Sequence, residues 1–342
     1  MPTSLYSFDT EYCADSLEFY PFGETRRFLV GTYQLLQPSG AGGAELSSKD
    51  AQRVGRIYVC DVDESMRIVE KQRIETSAIF DIKWAYSLVA DKQLAGVACA
   101  DGSLAIYTAD MQGSSFLTQF AATEAQPGMC CSLDWSNRII PDDPRIVASY
   151  SDGKLQVFGI GESQLHVIDQ GQGHELEAWI SAFDYWDTNR LYSGGDDAML
   201  KGWDVRMGLK TPTFSSRKHQ AGVCSIQSNF HKQHVLATGS YDEHVFIWDT
   251  RNMRMPVEEL NVGGGVWRVK WHPEMADRLL VAAMYNGFHV LDVSDSLRLR
   301  GSFMDHGSIA YGADWCQHSE NGGWLAGTCS FYDHVVHIWH DL

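Results

Sequence analysis

An excess of basic residues is the first thing missing from this chain. Against 27 lysines and arginines stand 44 aspartates and glutamates, a formal net charge of −17 over 342 residues. No basic stripe offsets that charge, which argues against nucleic acid or an anionic membrane as partner. No apolar run is long enough to span a bilayer and no secretory leader opens the chain, so a cytoplasmic protein is expected. The eight cysteines are scattered. Only Cys130 and Cys131 adjoin and no Cys-x-x-Cys occurs, which fits reduced thiols rather than a disulfide framework or a zinc site. Also absent are Gly-x-Ser-x-Gly, His-Glu-x-x-His and a phosphate-cradling glycine loop. His231 and His234 flank a turn and are expected to be solvated. No metal or cofactor is expected. Finally, no long stretch has a 3.6-residue period, which leaves an all-β chain.

What is present is repetition. Arg190-Leu-Tyr-Ser-Gly-Gly-Asp-Asp-Ala-Met-Leu-Lys-Gly-Trp203-Asp204 is followed one period later by Val235-Leu-Ala-Thr-Gly-Ser-Tyr-Asp-Glu-His-Val-Phe-Ile-Trp248-Asp249. The two tryptophans lie 45 residues apart, the period of a WD40 repeat, whose four-stranded blade cannot bury both faces alone. A turn acid stands six residues before each strand end: Asp101 with Tyr107, Asp152 with Phe158, Asp197 with Trp203, Asp242 with Trp248, Asp333 with Trp339. Weaker repeats end at Cys60 and Leu291. Seven blades result, one continuous propeller over residues 1–342, with a flexible insertion at about residues 37–53 in blade 1. The chain ends three residues after Trp339, short of an outer strand. Leu5-Tyr-Ser-Phe8 has no blade of its own, so an N-terminal strand closing the last blade is expected.

His174, Asp197, Ser193 and Trp203, then His219, Asp242, Thr238 and Trp248, have the spacing of the internal bonds that brace WD40 blades. A Ser-His-Asp grouping looks catalytic on paper, but the repeat itself demands these residues. In blade 7, Cys329 takes the Ser/Thr place beside His306, Asp333 and Trp339, so an incomplete network is expected there.

One rim of such a wheel carries the aspartate turns and the starts of the inner strands, and here it is aromatic. Trp179, Trp267 and Tyr311 stand where inner strands begin; Tyr241, Tyr285 and Tyr332 stand at turns. Among them lie Glu11, Asp15, Glu177, Asp196, Glu243, His244 and His334. Six rings beside carboxylates suit an organic cation, each face-on ring contributing ~0.5–2 kcal/mol when desolvated.

Several stretches go beyond the generic repeat: Glu177-Ala-Trp-Ile-Ser-Ala-Phe-Asp-Tyr-Trp186, Ala237-Thr-Gly-Ser-Tyr-Asp-Glu-His244, Gly264-Gly-Val-Trp-Arg-Val-Lys-Trp-His-Pro273, Tyr311-Gly-Ala-Asp-Trp315 and Cys329-Ser-Phe-Tyr-Asp-His334. With Asp9-Thr-Glu-Tyr-Cys-Ala-Asp-Ser16 and Gly31-Thr-Tyr-Gln-Leu35, the chain resembles the diphthine methylesterases, WD-repeat proteins of diphthamide biosynthesis, over nearly its whole length. That resemblance implies hydrolysis of the methyl ester of methylated diphthine, a trimethylated histidine derivative on translation elongation factor 2, to diphthine and methanol. A rim of rings and acids would then grip the quaternary ammonium. Reading roles onto the rim gives His244 or His334 as general base, oriented by Glu243 or Asp196. Cys224 is a nucleophile or a small buried hydrophobe, and direct attack by water needs no nucleophile at all. The remaining acids and rings would bind substrate. A rival reading is a non-catalytic adaptor. The boxes Trp203-Asp-Val-Arg206 and Trp248-Asp-Thr-Arg251 resemble those of substrate receptors for cullin-RING ubiquitin ligases, which would use Arg206 and Arg251 on the opposite rim.

Overall fold

The computed structural model describes residues 2–37, 52–162, 164–318 and 323–341. Seven antiparallel sheets of four strands follow one another in sequence order around a closed ring. Their inner strands are Cys13–Phe19, Ile79–Trp84, Cys130–Trp135, Ala178–Phe183, Val223–Ser228, Arg268–Trp271 and Ala310–Trp315. The last sheet takes its outer strand from the other end of the chain. Ser4–Asp9 pairs antiparallel with Val335–Asp341, Phe8 opposite Val336 and Ser7 opposite His337. The ring therefore closes on the N-terminal strand as expected, and blade 7 has no open edge on its last strand.

The core lies between blades rather than inside them. Leu280, Ala282, Phe288 and Val290 of blade 6 pack on Ala313, Trp315, Ala326 and Trp339 of blade 7. The glycine of the repeat has a steric reason. A Cβ on Gly31, Gly194 or Gly239 would sit 2.6, 2.5 or 2.1 Å from a side-chain carbon of Ile79, Val223 or Val266, the residue that opens the next blade. Only a hydrogen at that point lets adjacent sheets approach.

The bracing networks in blades 4 and 5 form as their spacing predicts. His174 bridges Asp197 (2.9 Å) and Ser193 (2.7 Å), and Trp203 Nε1 donates to Ser193 Oγ at 2.9 Å. His219 bridges Asp242 (3.0 Å) and Thr238 (2.8 Å), with Trp248 Nε1 donating to Thr238 Oγ1. Each Ser or Thr oxygen is buried and engaged by both an imidazole and an indole, so these groups hold blades and face no substrate.

Two expectations need correction. Blade 7 is fully braced: Thr328, not Cys329, joins His306 (2.9 Å) to Trp339 (3.1 Å), and Ser330 is inserted between His306 and Asp333. The cause is a turn one residue longer. Five residues separate the pair Gly194 and Leu200 in blade 4, but six separate Cys329 and Val336. His231 and His234 are half-buried and bonded, to His272 O (3.0 Å) and Thr250 Oγ1 (3.3 Å), because this turn packs against blade 6 and its own strand end. In blade 1 Leu36 pairs with Gln52, so the strands flanking the insertion end and begin there; residues 38–51 lie outside the described residues.

Candidate functional site

A fault in strand pairing, repeated blade after blade, builds the site. In six blades the inner strand carries one residue more than its partner near its first pairs. Ala14 faces Thr32 and Ser16 faces Gly31, leaving Asp15 extra. The same reading isolates Phe80, Cys131, Trp179 and Cys224, and the pair Tyr311 and Gly312. In blade 6, Trp267 occupies the equivalent place just ahead of Arg268. A bulge bends its strand and re-aims the side chain. Here the bulges turn toward the hub: Trp179 of blade 4 reaches Trp267 of blade 6, ring centroids 5.9 Å apart, across the intervening blade. Cys224, Trp267 and Met284 pack with Trp179, Tyr241, Ile309 and Tyr311 in one cluster.

The rings continue round the mouth as an arc. Centroid steps are 6.4 Å from Trp179 to Tyr241, 6.1 Å on to Trp267 and 4.7 Å to Tyr311. They are then 5.0 Å to Phe331, 6.0 Å to Tyr33 and 5.4 Å to Phe80. Only blade 3, where the bulge residue is Cys131, interrupts it. Burial raises the Cys131 thiol, and the charges around it are Glu177, Asp15 and Asp152. The gap is thus the acidic sector. Asp196, alongside, accepts a hydrogen bond from Trp179 Nε1 at 3.2 Å.

Asp15 is the one carboxylate among the seven bulge residues, and it is 1% exposed. Its Oδ1 makes no close hydrogen bond; nor does Trp267 Nε1, the nearest donor, which interacts with this carboxyl only at longer range. Burial holds this carboxyl well above the usual carboxylate range, against the pull of Arg268. Below it, Arg268 pairs with Asp81 at 3.0 Å, Lys83 with the other Asp81 oxygen at 2.5 Å, and Lys270 with Glu18. Charged groups therefore fill the hub beneath an aromatic lip.

Other residues singled out in the sequence are placed less centrally. Glu11 is clamped by Arg56 (2.6 Å) and Arg73 (3.0 Å), which lowers its pKa and neutralises it as an anchor for a cation. Tyr285 and Tyr332 are 81% and 68% exposed and flank a cleft of about 480 Å³ between blades 6 and 7, with Met304 and His306. Glu243 accepts from Asn261 (3.3 Å), while His244 Nδ1 bonds the Asp242 carbonyl (2.7 Å), so neither orients the other. No ring contact joins His244 to the arc, since Phe246 is its ring neighbour. His334 sits at a left-handed turn position, φ 61°, and its carbonyl receives Thr10 N–H. Cys224 is buried with its Sγ on Gly222 O (3.3 Å), and burial raises its thiol well above the ordinary value. Arg206 and Arg251 lie bidentate on their own Asp204 and Asp249.

Sequence reasoning missed Phe80, Tyr33, Phe331 and Arg268. A signal existed for the first: every bulge residue stands four positions before the last residue of its inner strand, as Phe80 does before Trp84 and Trp267 before Trp271. No such register marks Tyr33 or Phe331.

Fold and mouth together define the class, a seven-bladed WD-repeat propeller. Residues 210–249 match the family model "WD domain, G-beta repeat". A chain in the "Crystal Structure of Mitotic Checkpoint Complex" superposes with TM-score 0.73 at 17% identity, covering 99% of this chain and 92% of that one, which is a likeness of fold alone. Sequence relatives are more specific. Proteins named diphthine methyltransferase are 40% identical in Mus musculus, over 91% of this chain and 69% of theirs, and 40% identical in Homo sapiens, over 91% and 74%. A "Diphthine methyltransferase homolog" of Dictyostelium discoideum is 32% identical over 96% of both chains. The chain belongs to the diphthine methyltransferase family.

Proposed function

We propose that the protein removes the ester methyl from methylated diphthine on translation elongation factor 2, releasing diphthine and methanol. The relatives' name ties the family to methyl chemistry on diphthine and leaves the direction open. The observation that carries our reading is the aromatic arc ending in an acidic sector. A quaternary ammonium has no N–H to donate, so hydrogen-bond acceptors cannot hold it as they hold a lysine. Ring faces and unpaired carboxylates can. Trp179, Tyr241, Trp267 and Tyr311 supply the faces, Glu177 and Asp196 the charge. A mouth open on one rim also suits a residue presented by a protein too large to enter. Eight buried thiols suit a reducing compartment, and we place the reaction in the cytoplasm.

The test is direct. Purified protein incubated with elongation factor 2 carrying methylated diphthine should lower the factor's mass by one CH₂ and liberate methanol. Unchanged mass with stoichiometric, stable binding would sink the hydrolase and favour an adaptor. Trp179→Ala should raise KM about five- to thirtyfold, the equivalent of ~1–2 kcal/mol of cation–π attraction, with a smaller effect on kcat.

A further inference from the structure

We propose that Asp15 is first the general base and then the general acid of this hydrolysis, with Trp267 Nε1–H as the donor to the developing oxyanion. The assignment rests on the hydrolase reading above. It starts from an internal comparison of buried carboxylates. Asp81 is held by Lys83 and Arg268, Asp134 accepts from Phe183 N (2.8 Å) and Tyr185 Oη (3.1 Å), and Asp314 from Phe19 N (2.8 Å). Asp15 is as deeply buried, yet one oxygen makes no close hydrogen bond and has only the indole N–H of Trp267 near it, itself without another partner. A carboxyl kept solely for packing or bracing would be bonded like the other three. This one stands on a bulge beneath the lip, beside Trp267 and Tyr311 of the arc that would seat the ammonium.

Its rivals fit less well. His244 and His334 have no ring contact with the arc, and burial keeps the Cys224 thiol protonated. The step balances with water alone. Asp15 takes one proton from water as its oxygen bonds the ester carbon; the carbonyl oxygen becomes an oxyanion that accepts from Trp267 Nε1–H. The carbon–methoxy bond then breaks, Asp15 returns the proton to the methoxy oxygen, and methanol leaves. The acid product loses its own proton to solvent.

Burial opposes charge on Asp15, and the groups around it are Arg268, Asp81, Trp267, Tyr311, Cys13, Cys131 and Cys329. Arg268 is shared with Asp81. The substrate's own ammonium, seated in the arc, adds the missing positive charge and favours the carboxylate. Substrate binding thereby switches on the base.

Single-turnover methanol release should be followed for the wild type and for Asp15→Asn, Asp15→Glu and Trp267→Phe, using methylated elongation factor 2. The pH profile should be measured for that substrate and for a peptide ester whose trimethylammonium is replaced by neutral tert-butyl. Asp15→Asn should slow the chemical step by about a hundredfold or more while the substrate Kd moves only severalfold. Asp15→Glu should be faster than Asp15→Asn. The wild-type rate should rise with pH through one ionisation, and that midpoint should move upward for the tert-butyl ester. Asp15→Asn within threefold of wild type, or a midpoint indifferent to the ligand's charge, overturns the assignment. If Asp15→Asn does not fold, the wild-type profiles decide alone. A wild type that releases no methanol sinks the hydrolase reading itself; an active wild type beside an active Asp15→Asn sinks only the role of Asp15.

Discussion

Side chains here are governed by whether burial leaves them a partner. All eight cysteines are buried, and burial pushes Cys60, Cys99, Cys130, Cys131, Cys224 and Cys329 upward from the ordinary thiol value. Since the thiolate is the reactive form, iodoacetamide should leave the native protein unmodified and label every cysteine after denaturation. Labelling of Cys224 in the native state would restore it as a nucleophile. Residue identity was legible wherever the repeat imposes it, as with His174, Ser193 and Trp203. It was misread at Cys329, because counting back from Trp339 cannot reveal a turn lengthened by one residue. Glu11 looked like a free rim acid for a related reason: Arg56 and Arg73 reach it from strands distant in sequence, and alternation within a strand says nothing about such partners.

Elements were easier to read than their irregularities. The strand ends, the blade count and the closing role of Ser4–Asp9 all follow from period and alternation. Bulges do not, because an extra residue leaves no mark on a hydrophobic pattern unless several strands are aligned on their last residue. Deleting residues 1–10 should cost about 3 kcal/mol or more in ladder bonds and Phe8 packing, a drop of thermal midpoint of about 4 °C or more. It also bares the edge of Val335–Asp341, so the shortened protein should associate on warming. An unchanged melting curve would mean that the ring closes without this strand.

For the molecule as a whole, buried ionisable groups pull stability in opposite directions with pH. Asp134 is raised to about 6, and Glu18 and Asp15 are also raised, mainly by burial. Their stabilising effect is full below the unfolded carboxylate value and is lost as pH rises through the folded one. His272 is lowered to about 3, and His289, His306 and His337 are lowered too, by burial. Their effect is full above the unfolded histidine value and is lost as pH falls. Between about pH 4 and 6.5 the two sets offset one another. Below that window no raised carboxyl still gains, while Asp242, lowered to about 2 with His219 as its partner, begins to lose. Thermal midpoints should therefore form a plateau that ends in a steep acid decline. Asp134→Asn should tilt the plateau downward toward low pH, and a plateau that stays level would show that Asp134 titrates normally.

The blade 3 gap bears on turnover as well as capture. On the proposed chemistry the ligand arrives as a cation with a neutral ester and is converted to a zwitterion. The same Glu177 and Asp196 that draw in its positive end then repel the carboxylate it has just acquired. Like charges confined where water is scarce push hard on one another, so the reaction itself loosens the grip on what it has made. Ejection is written into the asymmetry of the lip: a complete circle of rings would have held reactant and product almost equally.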